Sequence, residues 1–196
     1  MKQFTAITDQ YSSEEYYEKM KTWAEQGQTS GKEQSDSRIA FTALNHKRIQ
    51  RILKTFRVAP KLEELLSSLG GDQYWFVFTE SWCGDSAQIS PILTKFAAAS
   101  NGKIHLRFLF RDEHPQLMQK YLTNGGLSIP KLVAFDEQGL ELFQFGPRPA
   151  SAQKILLDWK QDSGGRTHDD FEKELHTFYA KDRGKSIEAE FQQLLG

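Results

Sequence analysis

Six consecutive residues, Tyr74-Trp75-Phe76-Val77-Phe78-Thr79, are aromatic or β-branched with no polar alternation. A strand that is apolar on both faces must be buried on both, so it belongs at the centre of a sheet with helices above and below. The residues around it extend that reading. Pro60 opens a short amphipathic run, Lys61 to Leu69, that ends at Gly70-Gly71 and predicts a helix before the strand. After the strand, Ile89, Ile92, Leu93 and Phe96 recur at helical spacing over about 86–99, with Pro91 as an interior kink. Ile104 to Phe110 is a second strand, His114 to Leu122 a short helix and Lys131 to Phe135 a third strand. Asp136-Glu137-Gln138-Gly139 is a hairpin turn into Leu140 to Phe145, and Pro149 starts another helix. The order α-β-α-β-α-β-β-α makes a mixed sheet from a βαβ unit and a terminal hairpin.

Outside this unit the pattern is helical. Ser12 with Glu15 forms a capping-box signature, followed by Tyr16, Met20 and Trp23, which predicts a helix over about 13–26. Gly27 to Ser35 is polar and reads as an exposed connection. Asp36 or Ser37 then caps a second helix that runs to the Val58-Ala59-Pro60 break. The basic end of this helix, Lys47, Arg48, Arg51, Lys54 and Arg57, suits the negative end of its dipole and reads as a solvated face. Helices over about 168–181 and 186–195 follow the Ser163-Gly164-Gly165 break. The expected organisation is a helical N-terminal extension over 1–57, a core domain over 58–160 and a helical C-terminal extension over 161–196.

With 25 Lys and Arg against 26 Asp and Glu, the chain has no net field to gather phosphates or anionic lipid, so nucleic acid and membrane surfaces are poor partners. No run of about 18 apolar residues predicts a membrane span. One cysteine, Cys83, excludes an internal disulfide and a zinc thiolate cluster and points to a reducing, cytoplasmic compartment. His168, Glu172 and His176 share helical spacing that would suit a metal, but the interleaved Asp169, Asp170 and Lys173 favour a solvated face; no metal or other cofactor is expected.

Cys83 falls between the central strand and a helix start, where unpaired backbone N–H groups favour a thiolate. Trp82-Cys83-Gly84 at that junction, on this topology, resembles the active site of the thioredoxin family, and Ile129-Pro130 matches the position of that family's cis-proline. The nearer resemblance is to a bacterial branch of thioredoxin-like proteins that reads Trp-Cys-Gly-Asp and ends its last strand in Gly-Pro-Arg-Pro, here Gly146-Pro147-Arg148-Pro149. It covers about residues 58–160 and implies an α/β thioredoxin-like fold, a central mixed sheet flanked by helices. It also implies a nucleophilic Cys83, with Trp82, Gly84, Ile129 and Pro130 receiving a substrate chain.

Three departures narrow that expectation. Ser86 replaces the resolving cysteine, so a mixed disulfide waits for an outside thiol such as glutathione. Val77 stands where the family places a buried aspartate. Asp85 replaces proline, and its charge opposes ionisation of Cys83; an ion pair with Arg148 within about 8 Å, one Debye length, follows if both sit on the same rim. Ser86 is expected to donate to the sulfur. Two functions fit: monothiol exchange on protein or low-molecular-weight thiols and disulfides, or a catalytically weak binding and adaptor module. The sequence leaves the oligomeric state open.

Overall fold

The structure, a computed structural model, describes residues 1, 4 and 6–196. Helix α1 (Ser13–Gln26) starts on a reciprocal capping box in which Ser12 Oγ accepts the Glu15 N–H and Glu15 accepts the Ser12 N–H. Helix α2 (Asp36–Thr55) and helix α3 (Pro60–Ser67) lead into strand β1 (Gln73–Thr79). Then come helix α4 (Gly84–Ala99), with Pro91 inside it, strand β2 (Ile104–Phe110) and a 3-10 turn over Arg111–Glu113. Helix α5 (Pro115–Met118), strands β3 (Lys131–Asp136) and β4 (Glu141–Phe145), and helices α6 (Ala150–Gln161), α7 (His168–Asp182) and α8 (Lys185–Leu195) complete the chain.

The sheet order is β2-β1-β3-β4, with β1 parallel to β2 and antiparallel to β3, and β3 antiparallel to β4. β1 is therefore internal, and its alternating side chains serve two cores. Trp75 and Val77 join Ile89, Leu93, Phe96 and Phe108 on one face; Phe76 and Phe78 join Leu109, Met118, Ile129, Val133 and Phe135 on the other. Burying each such side chain contributes about 1.5–3 kcal/mol, so the uninterrupted apolar run is what the double burial requires. Val77 is fully buried in the first of these cores.

The N-terminal segment covers the free edge of β2. Tyr11 exchanges two backbone hydrogen bonds with Phe108, 2.9 and 2.8 Å, and Tyr16 stacks on the Phe108 ring with centroids 4.4 Å apart. An edge covered this way cannot template pairing with another chain. At the other end, α8 inserts Ile187 and Phe191 into the main core, Phe191 lying 5.0 Å from both Phe96 and Phe145.

Two local expectations change. The helix expected over 114–122 stops at Met118: beyond Tyr121, which turns into the core, Asn124 and Gly125 take φ of 51° and 78° in a tight turn closed by reciprocal 3.0 Å hydrogen bonds between Thr123 and Gly126. The Gly27–Ser35 stretch is not wholly exposed either. Thr29 and Ser30 are 2% and 1% accessible, because their hydroxyls find partners on Ser81 and Thr42 rather than water.

Candidate active site at the start of helix α4

The end of β1 is pinned before it reaches Cys83. Thr29 Oγ1 lies 2.9 Å from Ser81 Oγ, the Ser30 and Ser81 N–H groups donate to each other's hydroxyls at 2.8 and 2.9 Å, and Asn45 Nδ2 donates to the Ser81 carbonyl at 2.9 Å. Glu80, fully buried, accepts from the Ser30 hydroxyl and, at 2.8 Å, from the Asp112 N–H. Burial pushes its carboxyl up to about 7. Trp82 follows with two guanidinium groups against its ring, Arg38 at 4.4 Å and Arg111 at 5.2 Å from the centroid.

Cys83 is the N-cap of α4, with its sulfur accepting the Ser86 N–H at 3.4 Å. The thiol also lies 3.5 Å from the Ile129 carbonyl, to which it donates, and the Ile129–Pro130 peptide is cis. Cys83 is only 8% accessible. The helix start favours the thiolate and the Asp85 charge opposes it; the thiol is pushed up to about 11. Burial is the main cause and the Asp85 charge the second, together outweighing the Ser86 contacts and Arg148, which act the other way. The helix-end N–H is present, but a nearly dry pocket decides the balance. The Ser86 backbone N–H donates to the sulfur, and the buried Ser86 side chain acts on the thiol in the same direction, holding it down.

Asp85 and Arg148 meet. Arg148 Nη2 lies 2.6 Å from Asp85 Oδ2, and both side chains are largely buried, 15% and 7% accessible. The other carboxylate oxygen accepts the Tyr179 hydroxyl at 2.7 Å. Burial raises the Asp85 carboxyl, while Arg148 and Tyr179 hold it down. Arg148 is itself steadied by Gln153 at 3.3 Å.

Two other residues close on Gly84 from helices read as solvated. His176 Nε2 would lie 2.9 Å from a Cβ at Gly84, and Arg48 Nη1 3.4 Å from it, so only glycine fits there without displacing the imidazole. His176 contacts Glu172 at 3.5 Å and Gln88 at 3.4 Å, and its hydrogen bond holds Glu172 below the usual carboxylate range. The predicted His168, Glu172, His176 row is thus split: His168 packs edge-on against Trp159, centroids 5.7 Å apart. Among the described residues no three His, Cys, Asp or Glu side chains converge in a metal-holding geometry. Between these elements lies a groove of about 1260 Å³ lined by Trp82, Cys83, Ile129 and Arg148 on one side and by α7 on the other.

Arg48, Tyr179 and His176 are site residues that pattern reading missed. Tyr179 carried a usable signal, since it repeats the Phe171, Leu175 apolar spacing and a buried phenol needs a partner.

A mixed sheet whose central strand hands one cysteine to a helix start, facing a cis-proline carbonyl neighbour, defines a thioredoxin-like α/β protein. The chain belongs to the thioredoxin family, whose family model matches residues 31–162. Thioredoxins of Staphylococcus aureus strains Mu50 and MW2 are 37% identical to it over 60 residues, 31% of this chain and 55% of theirs. The chain therefore spans about half the length of the curated relatives it matches. Among solved structures, a Pseudomonas aeruginosa protein of unknown function aligns with a TM-score of 0.59 at 19% identity, covering 78% of this chain and 84% of that one. An HIV epitope scaffold aligns at 0.56 and 17%, covering 89% and 95%. These two likenesses concern the fold alone.

Proposed function

We propose that the chain is a monothiol thiol–disulfide exchange protein of the bacterial branch with Trp-Cys-Gly-Asp and Gly-Pro-Arg-Pro, acting in a reducing cytoplasm. The thioredoxin-like unit over 58–160 carries the thiol, and 1–57 and 161–196 extend it. The observation that carries this reading is the Cys83 sulfur at the N-cap of α4, held between the Ser86 N–H and the Ile129 carbonyl with no second thiol in the chain. The Cys83 thiolate attacks a substrate disulfide; a bond forms between Cys83 and one substrate sulfur, and the other leaves as a thiolate that takes a proton from water. An external thiolate then attacks the substrate sulfur of the mixed disulfide, carries it off as a new disulfide and returns Cys83. The backbone at Ile129, Pro130 and Gly84 and the ring of Trp82 receive the substrate chain, and the Ser86 N–H stabilises the departing or resting thiolate.

The raised thiol sets the expected rate. Raised from 9.0 to about 11, the thiol is ionised at pH 7 roughly 100-fold less than an unperturbed cysteine. A more basic thiolate recovers about 8-fold in nucleophilicity at a Brønsted slope near 0.45, which leaves attack about 13-fold slower than an unperturbed cysteine before substrate positioning. That same raised thiol favours a second reading, a thioredoxin-fold binding or adaptor module with little turnover. Turnover of a mixed disulfide by the wild-type chain and by Cys83→Ser, with glutathione as the reducing thiol, separates the two. Exchange requires a wild-type rate above both the variant and the uncatalysed reaction; equal rates assign the module.

A further inference from the structure

Arg48 differs from the other arginines near the groove in what holds it. Its Nη1 donates to Asn45 Oδ1 at 3.0 Å, and Asn45, fully buried, is itself fixed to the Ser81 carbonyl two residues before Cys83. Among the described residues no carboxylate lies within 4.0 Å of the Arg48 guanidinium, on which the Glu172 and Asp85 charges act only from farther away, whereas Arg38, Arg111 and Arg148 each contact one, at 3.0, 2.8 and 2.6 Å. A guanidinium positioned by an amide keeps its charge available for a ligand, and its fork geometry suits a carboxylate. The acidic groups lining the same groove are better satisfied. Asp85 is held by Arg148 and Tyr179, and Glu172 by His176; Asp169 stands in the first turn of α7, while Lys181 adds a cation in its last turn.

Size is limited by the wall opposite. α7 brings His176 over Gly84, beside a cysteine that is 8% accessible, and α7 lies beyond the 31–162 span of the family match. A narrow, flexible molecule reaches the sulfur along this groove more readily than the flat surface of a folded protein.

We propose that the groove between Cys83 and α7 binds a small anionic thiol or disulfide of about tripeptide size, with Arg48 receiving its carboxylate and setting specificity. This deepens the exchange reading, in which such a molecule supplies one sulfur of the mixed disulfide. The test separates binding from exchange. S-methylglutathione carries the carboxylates but cannot exchange, and its binding to the full-length chain by titration calorimetry is compared with that of the cationic thioether S-methylcysteamine. The expected result is measurable binding of the first only, weakened about tenfold in Arg48→Met and partly restored in Arg48→Lys. Equal binding of both thioethers, or no change in Arg48→Met, overturns the proposal. If Arg48→Met does not fold, Arg48→Lys against wild type decides, since a lysine loses the forked contact but keeps the charge: unchanged affinity overturns the role of the fork. Reduction of insulin as fast as of glutathione disulfide overturns the size limit. Absence of all exchange with S-methylglutathione still bound refutes the monothiol function and leaves the site standing.

Discussion

Replacing Asp85 by Asn removes the charge that opposes ionisation of Cys83, and the structure fixes the sign of the effect. The carboxylate is second only to burial among the causes that raise the thiol to about 11, and Arg148 pulls the other way. In Asp85→Asn the sulfur loses a neighbouring anion while the Arg148 cation, 2.6 Å from that carboxylate in the native chain, is left unbalanced. Both changes favour the thiolate. A nearby charge moves a pKa by about 1–3 units, and with burial unchanged we expect a fall of about 1–2 units, or roughly 1.4–2.7 kcal/mol. At pH 8 that raises the thiolate fraction about 10- to 100-fold and, after the loss of nucleophilicity, speeds alkylation by iodoacetamide about 3- to 13-fold. The assay is the pH–rate profile of alkylation between pH 7 and 11, with circular dichroism to verify the fold. Arg148→Gln exposes the sulfur to Asp85 without its counter-charge and should move the profile upward. If the two variants shift it in the same direction, or Asp85→Asn leaves it unmoved, the electrostatic account of this thiol is wrong.

Other outcomes follow from single contacts. Glu80 has a carboxyl raised to about 7 in the fold against an ordinary value of 4.5, so its contribution to stability is full below about pH 4.5 and is lost as pH rises through 7. Between pH 5 and 8, urea unfolding should show the wild type losing about 2–3 kcal/mol more stability than Glu80→Gln does, and equal losses in the two would count against the burial of this carboxyl. Tyr179→Phe removes the hydroxyl donor to Asp85 and should destabilise by about 1.5–3 kcal/mol in the same assay; a neutral result would mean that water replaces the phenol. Gly146 has φ of +111°, and a Cβ there would overlap the Pro130 carbonyl oxygen, so Gly146→Ala should cost about 3 kcal/mol or more. An unchanged melting temperature would show that the strand end can shift away.

What was legible in the sequence was local. The Ser12 capping box marks the start of α1, the apolar run marks β1, and Gly139 with Asp136 marks the hairpin, because each is decided by residues within a few positions of one another. Cys83 was legible from its place between a strand and a helix start, and Ile129 and Arg148 through the resemblance of their motifs to the thioredoxin-like branch. The electrostatics of the site were not. The Tyr179 hydroxyl reaches Asp85 across 94 positions, and whether a helix start yields an acidic thiol depends on how much water α2 and α7 exclude from it. Charge on a helix surface misled for a related reason. Arg48 and His176 sit among solvated neighbours on their own helices, and only the docking of those helices on Gly84 selects them. Likewise Thr29 and Ser30 looked exposed by composition, yet hydroxyls that find one another can be buried at little net cost.

The single sulfur has a consequence for what this chain can report about its surroundings. A vicinal dithiol closes on itself, so its ratio of oxidised to reduced form follows the small-disulfide concentration divided by the square of the small-thiol concentration, and simple dilution of the pool shifts it. Cys83 has no such partner. Its equilibrium with a small disulfide exchanges one thiol for another, so occupancy depends on the plain ratio of disulfide to thiol and is indifferent to how concentrated the pool is. Whatever the chain does with that sulfur, it responds to the proportion of oxidised molecules around it and ignores their abundance.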